Sequence, residues 1–101
     1  MTNLTVTNVT SRSVTLQWGP PRSTGGAEIT SYIIEKKRAD TTWERVVTLE
    51  ASVTMHTVVN LKEKTQVMRV AAENPIGLGP WTETSTIQLK THASMFNLKF
   101  I

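Results

Sequence analysis

Ser13-Val14-Thr15-Leu16-Gln17-Trp18, followed by Gly19-Pro20-Pro21, is the stretch that decides the fold. In an extended chain Val14, Leu16 and Trp18 fall on one side, and Thr15 and Gln17 on the other. A period of two marks a strand with one face buried and one face wet, as in antiparallel sheets. Gly19-Pro20-Pro21 ends it, because proline has no N–H to give to a ladder. Residues 20 to 28 then form a loop with Gly25-Gly26 at its tip.

The same period recurs on both sides of this strand. Upstream, residues 4–9 alternate Leu4 and Val6 with Thr5 and Thr7, and Ser11-Arg12 makes the turn. Downstream, residues 29–38 put Tyr32 and Ile34 on one face, with Lys36 at its end, and Ile33, Glu35 and Lys37 on the other. Residues 43–49 follow a turn, with Trp43 and one of Val46 and Val47 covering apolar surface. Residues 53–61 turn His56 and Val58 inward, and Leu61 leads into a Lys62-Glu63-Lys64 corner. Residues 66–74 place Met68, Val70 and Ala72 inward and Val67, Arg69 and Ala71 outward. Beyond a loop rich in Gly and Pro, residues 81–90 offer Ile87 and Leu89 to the core. Threonine alone contributes seventeen residues, and β-branched side chains suit a pleated surface. No segment keeps helical spacing of apolar residues over three turns. Seven such strands, separated by short turns, predict an all-β, seven-stranded antiparallel sandwich with an immunoglobulin-like arrangement. Its expected core is Trp18, Tyr32, Ile34, Val58, Leu61, Met68, Val70 and Ala72.

A chain of 101 residues holds one domain. At this size roughly two-thirds of the unfolded surface is buried, enough for a core without staples. There are no cysteines, which excludes thiolate metal sites, thiol nucleophiles and redox motifs. The net charge of +3 is mild, and the longest basic run is Lys36-Lys37-Arg38. That run reads as a solvated strand end, so no nucleic-acid partner is expected. No apolar run approaches the ~20 residues that span a bilayer, so no direct membrane insertion is expected. Met1-Thr2-Asn3-Leu4 lacks the charged and apolar regions of a signal peptide and reads as the start of an excised fragment. Two sequons, at Asn3 and Asn8, are close to what 24 Ser and Thr among 101 residues yield by chance.

The ordered set of strand residues resembles a fibronectin type III domain. The pieces that carry the likeness are Ser13 to Trp18 with Pro20-Pro21, then Ile29-Thr30-Ser31-Tyr32-Ile33-Ile34-Glu35. Leu61, Arg69-Val70-Ala71-Ala72-Glu73-Asn74, Gly77 and Gly79 complete it. Residues 25–36 and 72–79 are further similar to modules of giant muscle proteins of the titin and twitchin type. The resemblance implies strands A, B and E facing C, C′, F and G. It implies domain bounds of 1–90, leaving 91–101 as a tail, linker or vector-derived segment. In that tail Phe96, Leu98 and Phe100 alternate. It either docks on the domain, belongs to the next unit or is an addition, and it is the one segment expected to promote self-association of an otherwise monomeric domain.

One departure from the family stands out. The family's corner tyrosine lies six residues after the leucine that Leu61 matches, and Gln66 takes its place here, with the spacing to Arg69 one residue short. Without that tyrosine the domain is expected to have below-average stability, and a tyrosine inserted between Gln66 and Val67 is expected to raise the melting midpoint.

No enzyme is read in the chain. His56 and His92 are the only histidines, Asp40 is the only aspartate, and no carboxylate pair has a reason to share a site. His56 reads as a packing residue and His92 as solvated. The glycine pairs do not open helices, so no phosphate cradle and no cofactor or metal site is expected. Trp18 reads as core, Trp43 as half-covered, and Trp81 as a shield for a sheet edge; Arg69 is within reach of a cation–π contact with Trp43 or Trp81. No Arg-Gly-Asp tripeptide occurs. The resemblance implies a structural and protein-binding module of a multidomain, sarcomeric protein in the cytoplasm. Its partners would be other proteins and neighbouring immunoglobulin-like or fibronectin type III domains. Glu35, Lys37, Arg45 and Arg69 form the expected partner surface. An extracellular adhesion or receptor module is the alternative.

Overall fold

The computed structural model describes residues 1–22 and 26–90. Every regular element among them is a strand. They are β1 (Thr2–Val9), β2 (Val14–Gly19), β3 (Ser31–Lys37), β4 (Trp43–Glu50), β5 (Met55–Val58), β6 (Thr65–Gln66), β7 (Met68–Asn74), β8 (Gly77–Leu78), β9 (Thr82–Glu83) and β10 (Ile87–Gln88). One sheet runs β1-β2-β5. The other runs β4-β3-β7-β8, with β9 also on β7, while β10 pairs β6. All pairings are antiparallel. The two layers are A-B-E against C′-C-F-G, an all-β sandwich. Seven strands become ten segments because two are interrupted and a small hairpin adds β8.

The inner faces meet in one core. Val14, Leu16 and Trp18 from β2 face Tyr32 and Ile34 from β3 and Met68, Val70 and Ala72 from β7, with Val58, Leu61, Ile87 and Leu89 closing the lower end. The Trp18 and Tyr32 rings pack 5.6 Å apart at 59°, a tilted pair of the kind aromatic quadrupoles favour. Burying each large apolar side chain contributes roughly 1.5–3 kcal/mol before the entropy of ordering it. Val46 and Val47 both pack against this core. The β3–β4 register skips at Ile34/Glu35, so Glu35 faces Arg45 and the extra residue on β4 lets two adjacent valines reach apolar surface.

Three details go beyond simple alternation. Val6 sits opposite the buried Leu16 yet is 38% exposed, because β1 is an edge strand of its sheet. Ile33 and Ala71 point away from the main core yet are almost fully buried. The final strand breaks after Glu83. There the Met68 N–H donates to the Thr84 hydroxyl at 3.1 Å, and the Thr84 N–H donates to the Met68 carbonyl at 2.8 Å. A side-chain oxygen replaces a backbone carbonyl in the ladder, which bridges the gap between β9 and β10.

The corner before β6 is built on Gln66. Its side chain is buried and Nε2 donates to the Glu63 carbonyl at 2.9 Å. Gln66, Met68, Val70 and Ala72 all lie on the buried side, so alternation runs unbroken through the corner. The tail, with the expectations attached to residues 91–101 and His92, lies outside the described residues.

Candidate protein-interaction surface

The outward face of the five-stranded sheet follows from the registers. Glu35 sits opposite Arg45 on one side and Arg69 on the other, and Arg69 sits opposite Glu83. Lys37 faces Trp43. The β7–β9 register, extended by one pair, sets Trp81 opposite Ala71. Opposite charges on adjacent strands at these positions attract, each by a fraction of a kcal/mol when solvated.

Arg69 is the centre of the arrangement. Its Nε and Nη2 donate to one carboxylate oxygen of Glu35 at 3.0 and 2.6 Å. Its Cζ lies 4.1 Å from the ring centroids of both Trp43 and Trp81. A planar guanidinium can be stacked on two faces and hydrogen-bonded at its edge at once, which an ammonium cannot. Arg45 approaches the other Glu35 oxygen at 3.9 Å, and the Lys37 ammonium lies 5.7 Å from the Trp43 ring. The four residues of the expected partner surface are thus brought together, with Trp43 and Trp81 added to them.

Their availability differs. The Glu35 and Arg69 side chains are 13% and 21% exposed and satisfy each other, whereas Arg45 is 56% exposed. Glu35 and Arg69 tie β3 to β7, and the two tryptophans carry the tie to β4 and to the segment entering β9. Arg45 and Lys37 stand at the rim, open to solvent.

A second feature lies at the pole where β1 begins. A groove of about 620 Å³ is lined by Met1, Ile29, Ile76, Leu78 and neighbouring prolines. Ile76 and Leu78 are 73% and 45% exposed. The Asn74 side-chain oxygen accepts from the Ile76 and Gly77 N–H groups and shapes the hairpin that presents them. The run Pro75-Ile76-Gly77-Leu78 in a loop was the signal for this exposed apolar tip, and sequence reasoning passed over it.

The remaining titratable groups have structural settings. The Asp40 carboxylate accepts from the Thr42 hydroxyl and N–H, and these bonds hold its pKa below the ordinary value, with Arg38 assisting. Burial raises the Tyr32 pKa. His56 is half-buried on β5 opposite Leu16. No group of three or more His, Cys, Asp or Glu that could hold a metal occurs among the described residues. No helix among them is long and apolar enough to cross a membrane.

Comparison with known proteins places this geometry in context. The family model described as fibronectin type III domain matches residues 1–88. Titin of Drosophila melanogaster is 51% identical over 98 residues, covering 95% of this chain and, to the nearest per cent, 0% of that protein. The M-protein of striated muscle of Gallus gallus is 35% identical over 78 residues, covering 75% of this chain and 5% of that protein. The crystal structure of domains A168–A170 from titin superposes with a TM-score of 0.77 at 36% identity, covering 88% of this chain and 31% of that one. The chain therefore spans only a small part of the relatives it matches.

Proposed function

The chain belongs to the fibronectin type III domain family, and from that premise we propose that it is a non-enzymatic structural module of a sarcomeric, titin-like multidomain protein, serving as a mechanical spacer and a docking surface. The likeness to titin and to a striated-muscle protein supports the muscle setting and, with it, a cytoplasmic, myofibrillar location. The domain is taken to span residues 1–90, with neighbouring immunoglobulin-like or fibronectin type III domains as its partners in the array.

The observation that carries the spacer reading is where the chain enters and leaves. Thr2 lies beside Gly19 at one pole, and the Lys90 N–H donates to the Thr10 carbonyl at the other. Between these poles runs β1, eight residues and about 26 Å long. Tension applied at residues 1 and 90 then pulls along the strands. The hydrogen bonds of β1 on β2, and of the last strand on β6 and β7, are loaded in shear together rather than one at a time.

Stretching a tandem array of this chain by single-molecule force spectroscopy tests the reading. Expected are evenly spaced force peaks, each releasing roughly 300 Å, the extended length of one module. Extension without peaks would remove the spacer function. The extracellular alternative has its own observable: Asn3 and Asn8 are both exposed, and occupied glycans there on protein from native tissue would replace the sarcomeric reading with an adhesive one.

A further inference from the structure

Folding collects charges that are scattered along the sequence. At the pole where the chain leaves, the β3–β4 turn meets the connection between β5 and β6. Two adjoining clefts of about 340 and 210 Å³ lie between them, and both include Lys37, Arg38 and Glu63 in their walls. Lys36 and Lys62 complete the basic lining of the larger one. Arg12, Lys64 and Lys90 are held at the same pole by backbone bonds from Leu61 to Arg12, Leu89 to Lys64 and Lys90 to Thr10. Against these seven basic side chains stand three acids, Asp40, Glu44 and Glu63.

The acids do not neutralise the pole. Glu44 is shared, at 3.8 Å from Lys36 and 3.4 Å from Arg38, and its side chain is 42% exposed. Pairs this long and this wet are worth little and exchange readily. Asp40, kept ionised by its bonds from Thr42, offsets part of the Arg38 charge, and Glu63 offsets one more in the cleft walls, so seven bases against three acids leave an excess of four. Lys62 and Lys64 have no ion-pair partner among the described residues, and both are exposed. The opposite pole carries Glu28, Glu50 and Glu73 against Arg22 and the terminal amine of Met1, so among the described residues the excess of positive charge gathers at one end.

We propose that this basic cleft docks an acidic, extended protein segment. The proposal deepens the docking half of the function argued above and rests on it. Concave walls concentrate the field of the lysines, which draws in a carboxylate-rich strand and orients it. No aromatic side chain lines either cleft to stack a base, which favours an acidic peptide over a single-stranded nucleic acid. In the sequence Lys36-Lys37-Arg38 reads as a solvated strand end, a run of three with Lys62, Lys64 and Lys90 far from it along the chain.

The test is an NMR titration of the isotopically labelled 101-residue chain with a glutamate-rich peptide of about twelve residues. Expected are amide shifts grouped at residues 36–38 and 60–66. Affinity should fall about tenfold or more between ~20 and ~200 mM salt, as screening shortens the reach of the lysines. The double variant Lys62→Glu/Lys64→Glu, which leaves the Arg69 face untouched, should weaken binding by at least about tenfold at an unchanged melting midpoint. Should that variant melt early, Lys62→Gln/Lys64→Gln, at two exposed positions of the corner, takes its place. Absence of binding at low salt overturns the proposal. Shifts at Arg45 and Glu83 with the pole silent overturn this site while leaving the docking function standing. Equal or tighter binding of oligouridine overturns the assignment of an acidic protein.

Discussion

The Gln66 side-chain amide donates to the Glu63 carbonyl at 2.9 Å, and this bond closes the corner that the family closes with tyrosine. The glutamine is buried, directly before Val67 and Met68, and reaches back three residues to fix the turn into β6. Replacing it by alanine removes the donor and opens a gap beside the core. Gln66→Ala should cost about 1–3 kcal/mol, read as a lowered midpoint in urea. Because β6 pairs Ile87 with Gln66 and Gln88 with Thr65, a residue inserted after Gln66 would turn that pair to the wrong face. The geometry therefore favours substitution at position 66 over insertion, and Gln66→Tyr is the variant that compares the two corners directly.

Arg69 should be the most sensitive position on the outer sheet face. Two ring contacts at ~0.5–1 kcal/mol each and charge-assisted bonds to a half-buried carboxylate make the loss in Arg69→Ala about 2–4 kcal/mol. Arg69→Lys keeps the charge but not the plane, and should recover less than half of it. A double-mutant cycle with Glu35→Gln separates the carboxylate from the rings. Tryptophan emission should shift in both Arg69 variants and stay constant in Glu35→Gln.

How much of this was legible follows from what each feature depends on. Trp18, Tyr32 and Val70 could be placed because a period of two survives any turn geometry. The exposure of Val6 could not be, because a strand's place at a sheet edge leaves no trace in its period. Arg69 and two candidate tryptophans were visible, but only the register of β3, β4, β7 and β9 shows one guanidinium stacked on both. That Glu35 and Arg69 engage each other, leaving Arg45 and Lys37 as the open groups, likewise needs the pairing. The basic pole was the least legible, since strand order alone brings residues 12, 36–38, 62–64 and 90 to one end.

Alkaline pH should destabilise the domain through Tyr32. Burial holds its pKa above the ordinary value of 10.0. Above that value the unfolded chain loses the phenolic proton while the folded one retains it, so the folded state binds more protons. The contribution is fully present below the unfolded value and is lost as pH rises through the folded one. The difference in unfolding free energy between the parent and Tyr32→Phe should be constant below pH about 10 and move against the parent above it. Parallel curves across that range would show that the phenol does not titrate with folding.

Thr84 should matter more than an exposed-strand threonine ordinarily does. Its hydroxyl is the acceptor for the Met68 N–H, and its own N–H returns a bond to the Met68 carbonyl. Met68 is fully buried, so its amide has no other means of being satisfied when that oxygen goes. Valine matches threonine in shape but accepts nothing. Thr84→Val should cost about 1–3 kcal/mol and speed amide exchange at Met68 more than at Val70, whose neighbours are unchanged. Thr84→Ser keeps the oxygen and should restore the protection of Met68, even where the missing methyl lowers stability slightly. If Met68 exchanges at the same rate in both variants, the hydroxyl is not part of the ladder, and the break between β9 and β10 is a true gap in the last strand.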